Sequence, residues 1–527
     1  MKMIKIITVL GLLAITVSCT RDFLELDPLT SLVESNFYQS EEDAFMALVA
    51  VYDVLQWGTP KNQNVPIEVI SEIASDNCYG GGSNANDIPG IVDIDQHEMD
   101  PAYVGYEALW YKYYFGIYRA NLLLERIEGI EFKNDNLKKR FIAEARFLRA
   151  NYYFDAVRLF GNIPLILKPL APSEYSQEQD EPSRVYAQIL KDLQKAVYVL
   201  PEIVPPSETG RITRWAAEAL AGRVFLYYTG YYNETSVADG EGFSFSADSA
   251  RKYIDNVILN GGFDLMTDYE DLWKVENNNN FESVFEIQYT ELSRWGDWGY
   301  RIGSEANQAV VLWGVREPDE SSPYAPGWSF GPVNPKLYNA YDPADTRRNA
   351  TILSIADEFD PNGWAYLEGF QHTGFFNKKF IPLKEHEATI GDSRLNYPNN
   401  YPVIRFADVL LMGAELFLTE NPTKAQDYYD RVRKRAFGED HTPPVLSGQA
   451  GMNLIMEERY LELALEGHRY WDLLRQGVAY AESQIDQTGN EYPFFVDFKP
   501  ETMGLFPIPQ SEIDLTNRSL IQNDGYN

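Results

Sequence analysis

The chain opens its folded part with a helix start that is legible in four residues. Ser40-Glu-Glu-Asp43 places a hydroxyl three positions before a carboxylate, a capping-box arrangement, and the apolar positions from Ala44 to Trp57 then recur at helical spacing. The same three- and four-residue recurrence predicts helices over Tyr103 to Ile127, Leu137 to Phe160, Ser183 to Leu200, Arg214 to Tyr231, Ala247 to Leu259, Val403 to Thr419, Thr423 to Phe437 and Gln449 to Gln476. The clearest pattern is Leu137, Phe141, Ala145, Leu148, Tyr152 and Leu159, which Gly161 and Pro164 terminate.

Between about Gly261 and Pro402 the periodicity disappears. Gly, Pro, Asn and scattered aromatics take over, as in Asn277-Asn-Asn-Asn280, Pro323 to Pro332 and Tyr397 to Pro402. Ser283-Val-Phe-Glu-Ile-Gln-Tyr289 alternates like a strand. The expected fold is therefore mostly α, with helix hairpins packed beside an irregular, loop-rich region that holds a few short strands. Paired helices carrying alanine and large aromatics at this spacing are similar to tetratricopeptide units, although the Trp-Leu-Gly-Tyr consensus of that repeat is missing.

Before the first helix, Lys2 and Lys5 precede an apolar stretch from Ile6 to Val17 that is too short to span a bilayer, so it reads as an export signal. Thr16-Val-Ser-Cys19 leads small residues directly into a cysteine, as lipoprotein processing requires. Residues 1–18 are then expected to be removed and Cys19 to be acylated. Cys78 would be left without a partner, so no disulfide is expected, and a chain of 527 residues can rely on its core instead. A net charge of −33 repels phosphate backbones and anionic lipid headgroups, which argues against nucleic acid as a partner and leaves the lipid as the expected membrane attachment.

Several segments resemble the signature segments of the SusD/RagB family, the nutrient-binding surface lipoproteins of Bacteroidetes. They are Ala143 to Leu165 (Ala-Glu-Ala-Arg-Phe-Leu-Arg-Ala-Asn-Tyr-Tyr-Phe-Asp-Ala-Val-Arg-Leu-Phe-Gly-Asn-Ile-Pro-Leu), Tyr401 to Met412, Glu458 to Arg475, Leu505 to Ile513 and Gln522 to Tyr526. Two departures stand out: Tyr428-Tyr-Asp-Arg-Val-Arg433, where an apolar residue followed by Asn commonly precedes the Val-Arg, and Gly413, where a bulkier residue is usual. The resemblance implies four tetratricopeptide-like helix pairs, an N-terminal helical region over 19–230, and a C-terminal region over 231–527 that includes the loop-rich part shaping the ligand site. It also implies a lipid-anchored protein on the extracellular face of the outer membrane, without catalysis or cofactor, that passes oligosaccharide to a SusC-like TonB-dependent transporter.

Sugar recognition needs an aromatic face for the pyranose C–H surface and polar groups for the hydroxyls. The 35 tyrosines and 10 tryptophans make aromatic faces plentiful, so those outside helices matter most. Ser293 to Tyr300 alternates Trp295, Trp298 and Tyr300 with Arg294 and Asp297, reading either as a binding platform or as a loop tucking its indoles into the core. Asp76, Asn77 and Tyr79, ahead of a run of three glycines, form a second candidate, its bland alternative being a solvated turn. Trp313 and Trp328 are single candidates in the irregular region. The charges from Glu458 to Arg475 fall at helical spacing and read as mutual pairs along one helix, not as a catalytic cluster. Scattered histidines give no metal-ligand spacing, and Asp93, Asp95, Glu98 and Asp100 lack the glycine and terminal glutamate of a calcium loop.

A peptide ligand and a surface glycoside hydrolase remain as alternatives; the latter needs two carboxylates facing each other across a cleft. The anchor itself is directly testable. Cells expressing the chain are expected to incorporate labelled palmitate into it, and Cys19→Ala is expected to abolish both the label and retention in the membrane fraction.

Overall fold

The first helix starts where its capping box places it. In the computed structural model, which describes residues 37–58, 65–292, 305–489 and 493–526, the Ser40 hydroxyl accepts the Asp43 N–H while the Asp43 carboxylate accepts the Ser40 N–H, both near 3 Å. Helix α1 then runs over Glu41–Gln56, followed by α2 (Ile67–Ile73), α3 (Val104–Arg126), α4 (Asp135–Phe160), α5 (Pro182–Val197), α6 (Arg214–Tyr231) and α7 (Ala247–Asn260). After the irregular region come α8 (Phe406–Phe417), α9 (Pro422–Phe437), α10 (Gly448–Glu462) and α11 (Arg469–Leu474).

From α3 to α7 each helix packs on the next, and α8 continues the series by lying between α7 and α9. Missing side chains allow these close approaches. A Cβ on Gly116 of α3 would sit 2.6 Å from the Tyr152 ring of α4, and one on Gly222 of α6 would sit 2.4 Å from Ile254 of α7. Gly413 has the same role: its missing Cβ would lie 2.7 Å from the Tyr428 ring and 2.9 Å from Ile258. The family departure at Gly413 is thus compensated by packing, against an intrinsic helix cost of about 1 kcal/mol.

The irregular region supplies the strands. β1 (Ser236–Ala238) pairs with β2 (Ser244–Ser246), β3 (Ser283–Ile287) with β6 (Tyr401–Arg405), and β4 (Ile352–Ser354) with β5 (Phe375–Asn377), all antiparallel. The expected strand at Ser283 is present, but Val403 to Arg405, anticipated as helix, is its partner; α8 begins only at Phe406. Val and Ile in that stretch suit either state, and the ladder partner decides.

The long helix expected from Gln449 to Gln476 is broken. Leu465 and Gly467 take positive φ (65° and 83°), and a Cβ on Gly467 would stand 2.7 Å from the Glu68 backbone. The Glu72 carboxylate accepts the N–H groups of Leu465 (3.2 Å) and Gly467 (2.7 Å), fixing the turn. Three acids of this stretch, Glu458, Glu462 and Glu466, therefore reach across to other segments, while Asp472 pairs within it, with Arg475 (2.7 Å) and Arg459 (2.9 Å). Arg405 donates to Glu466 (2.6 Å), Glu282 (2.8 Å) and Glu462 (2.5 Å). Arg347 bonds Asp345 (2.7 Å), Glu458 (2.6 Å) and Glu462 (2.8 Å), and Lys379 bonds Glu466 (2.6 Å). Arg433 joins Glu458, and Arg435 joins Glu282 and Glu462.

Five cations thus meet five carboxylates, nearly all of them withdrawn from solvent. Burial alone would raise the Glu462 carboxyl, yet Arg435, Arg405 and Arg347 pull it down to about 2. Removing one partner from such a cluster leaves an uncompensated buried charge. Arg405→Met is therefore expected to lower unfolding free energy by about 3–5 kcal/mol in denaturant titration, far more than an exposed pair such as Lys168–Glu174 would cost.

Candidate functional site

The tri-glycine stretch is a seam between two backbones. The Tyr79 N–H donates to the Pro332 carbonyl, Gly82 to Ser329, Gly331 to Gly80, and Asn334 to Asn77. A Cβ on Gly81 would fall 2.4 Å from the Ser329 carbonyl oxygen, and one on Gly82 would fall 2.6 Å from the Phe330 ring. The glycines are needed for close approach, and the residues before them are interior. Asp76 accepts from Arg469 (2.7 Å) and Lys336 (2.7 Å), which hold its carboxyl below the ordinary range against the upward push of burial. Asn77 donates to Glu72 (2.6 Å), and the Tyr79 hydroxyl donates to Gln487. The expectation that Asp76, Asn77 and Tyr79 form an exposed binding loop is corrected: all three are fully buried and serve the packing.

Trp313 is corrected in the same way. It is 1% exposed, and the bend at Gly331 fits against its ring, where a Cβ would come within 2.2 Å. Trp328 is only half-buried. Its carbonyl accepts from Arg316 (2.5 Å), whose Nε reaches the Ser329 hydroxyl (3.2 Å) and whose other nitrogen lies 3.4 Å from Asp87. The exposed part of the glycine loop, Ser83 to Asn86, leads into Asp87. Asp87, Arg316 and the Trp328 backbone carbonyl thus form a polar shelf that spacing alone did not bring together, while the half-buried Trp328 ring packs against the core.

A cleft opens between the helix array and the irregular region, with a cavity of about 50 Å³ at its base. At its rim Trp57, Tyr111 and Phe115 stack, with the Arg119 guanidinium 5.2 Å from the indole and 4.6 Å from the Phe115 ring. Tyr289 and Asn307 line the opposite wall, and the Thr290 N–H donates to the Glu305 carbonyl at 2.7 Å. The segment carrying Arg294, Trp295, Asp297, Trp298 and Tyr300 lies outside the described residues. Cys19 also lies outside the described residues.

The base of the cleft is charged. Glu68 and Lys112 line it without an ion pair between them among the described residues, while Asp155 is bonded by Arg158 at 2.5 Å. Burial raises the Glu68 carboxyl to about 7 and depresses Lys112. The sequence signal for these two was present: each is a lone charge inside an apolar run, Ile67-Glu-Val-Ile70 and Trp110-Tyr-Lys-Tyr-Tyr-Phe115. The cavity has room for a few waters and none for a sugar ring. Elsewhere Asp93 and Asp95 lie in a short helix (Pro89–Gln96), not a loop, and Asp95 is buried and accepts from Gln371 at 2.8 Å. Among the described residues no helix is long and apolar enough to cross a membrane.

The described residues thus make an array of paired helices with a cleft and a polar shelf beside it. Residues 281–526 match the SusD family, and residues 22–226 match a family described as starch-binding and associating with the outer membrane. A laminarin-binding SusD-like protein of solved structure is 34% identical, covers 93% of this chain and all of its own length, and superposes with a TM-score of 0.80. Surface glycan-binding protein A from Bacteroides thetaiotaomicron, in complex with laminarihexaose, is 27% identical over 92% of this chain and 100% of its own, with a TM-score of 0.80. A SusD-like protein from Bacteroides ovatus is 28% identical over 87% of this chain and 79% of its own. The chain belongs to the SusD family.

Glu68 makes stability depend on pH. Its carboxyl is neutral in the fold up to about 7 but only to about 4.5 when unfolded, so the stabilisation is complete below that lower value and is lost as pH rises through 7. The loss amounts to about 3 kcal/mol. Glu68→Gln is expected to be more stable than the parent at pH 8, with a flatter melting-temperature profile between about pH 5 and 7.

Proposed function

We propose that this protein is a non-catalytic glycan receptor of the cell surface, that its first ligand class is a laminarin-type glucan, and that it delivers the glycan to a SusC-like TonB-dependent transporter. The observation that carries the reading is full-length likeness, at 34% identity and a TM-score of 0.80, to a protein that binds laminarin. The lipid on Cys19 is the proposed attachment, consistent with the outer-membrane association named for the family matched by residues 22–226.

The contacts proposed are Trp295, Trp298 and Tyr300 as stacking faces and Arg294 and Asp297 as hydroxyl partners. Trp328, with Arg316 and Asp87, adds the shelf. Stacking of this kind suits a neutral sugar: the indole face meets the C–H surface while polar side chains satisfy the hydroxyls.

Chemistry at the site supports binding over cleavage. A glycosidase sets a raised carboxyl and a second carboxylate on either side of a glycosidic bond, several ångström apart. Glu68 and Asp155 are the acids nearest the cleft, but the cavity of about 50 Å³ between their helices cannot admit a pyranose. The carboxylates of the Glu458 to Arg475 stretch are each bonded to a guanidinium or ammonium group, so none stands alone facing the cleft.

Isothermal titration calorimetry with laminarihexaose, beside a glycan array and a peptide library, tests the reading. Saturable oligosaccharide binding is expected, weakened roughly tenfold to a hundredfold, or about 1–3 kcal/mol, by Trp298→Ala or Trp295→Ala with the melting temperature unchanged. Saturable peptide binding without any glycan, or release of reducing sugar by the purified protein, would overturn it.

A further inference from the structure

The helix array carries a second concavity that shares no residue with the cleft. It lies where the turn after α5 and the first turn of α6 face α7, and it encloses about 360 Å³, within the usual range of small-ligand sites. One wall is Tyr198, whose side chain is 84% exposed although the preceding Val197 is buried. The far rim is Leu259, 64% exposed. Between them the floor is polar: Glu218, 1% exposed, is held by Asn256 Nδ2 at 2.9 and 2.7 Å and by Arg214 Nε at 3.1 Å. Asn260 donates to Asn256 at 2.8 Å, continuing the chain of fixed amides to the surface.

Three properties of this groove select a ligand class. A single exposed aromatic on a surface is ordinary, but here the ring borders a preformed depression whose polar groups are already locked by their neighbours. The lining charges cancel, Arg214 and Lys252 against Glu218 and Asp255, so neither an anion nor a cation is favoured. Amide, ammonium and carboxylate groups beside a bare ring face are the complement of a pyranose, whose one face is C–H and whose edge is hydroxyl.

We propose that this groove is a second glycan contact, taking one or two neutral pyranose residues stacked on Tyr198 and hydrogen-bonded by Asn260 and Lys252, with Asn256 holding Asn260 in place. The proposal rests on the glycan reading above. It gives the receptor a second hold on a long chain, built from two helices and the turn after α5.

The test uses the full mature chain with laminarihexaose at millimolar concentration, read by hydrogen exchange and calorimetry. The expected result is added protection of residues 247–260 that survives Trp298→Ala, disappears in Tyr198→Ala and persists in Tyr198→Phe, which keeps the ring. Affinity at the groove should fall at least tenfold in Tyr198→Ala without a change in melting temperature. Unaltered exchange over 247–260, while the parent still binds laminarihexaose, overturns this assignment and leaves the function standing. No laminarihexaose binding anywhere overturns both. If Tyr198→Ala leaves sugar binding intact and instead releases a co-purified transporter, the groove is a protein contact and the sugar assignment fails.

Discussion

A network of buried charge ties the irregular region to the helices, alongside the apolar core that the two share. Arg405 stands at the junction of β6 and α8 and bonds carboxylates from the start of β3 and from the turn after α10. Arg347 and Lys379 bring two further loop segments onto the same acids. Ion pairs so thoroughly desolvated add little net stability over a well-packed apolar cluster. What they impose is exclusivity, because each guanidinium must find its full set of oxygens, and only one arrangement of the segments provides it.

That constraint explains how a region poor in helices and sheets can still present fixed surfaces. The strand pairs are short, and the seam between residues 77–82 and 329–334 depends on glycine-to-backbone approach more than on side-chain packing. With the network in place, the shelf of Asp87, Arg316 and Trp328 is supported from below by Ser329 and the buried Trp313. The cleft is walled on one side by helices and on the other by Tyr289 and Asn307.

The helices were readable because their signal is local: capping residues and apolar spacing are satisfied within a dozen positions, and α6 begins and ends where its pattern predicts. Glycine was harder. Gly80 to Gly82 look like freedom in sequence, but the partner that makes them a tight seam lies some 250 residues away. For the same reason Asp76 looked available to a ligand, although Arg469 and Lys336 occupy it. The charges of Glu458 to Arg475 were correctly structural, yet only Asp472 pairs within the stretch, with Arg459 and Arg475. A positive φ at Leu465 and Gly467 turns the chain, and Glu458, Glu462 and Glu466 find partners on other segments. The candidate tryptophans divide by burial, which no single-residue pattern encodes: Trp313 is interior and Trp328 half-open.

The hydrogen bond from Thr290 to Glu305, 2.7 Å long, makes a neck between two points of the chain that are fifteen positions apart in sequence. Because loop-closure entropy changes only slowly with length, a stretch inserted at such a neck can be shortened, extended or replaced while the scaffold keeps its registry. The neck is therefore a splice point, and a change of length between its two sides leaves the helical chassis and its interior salt lattice untouched.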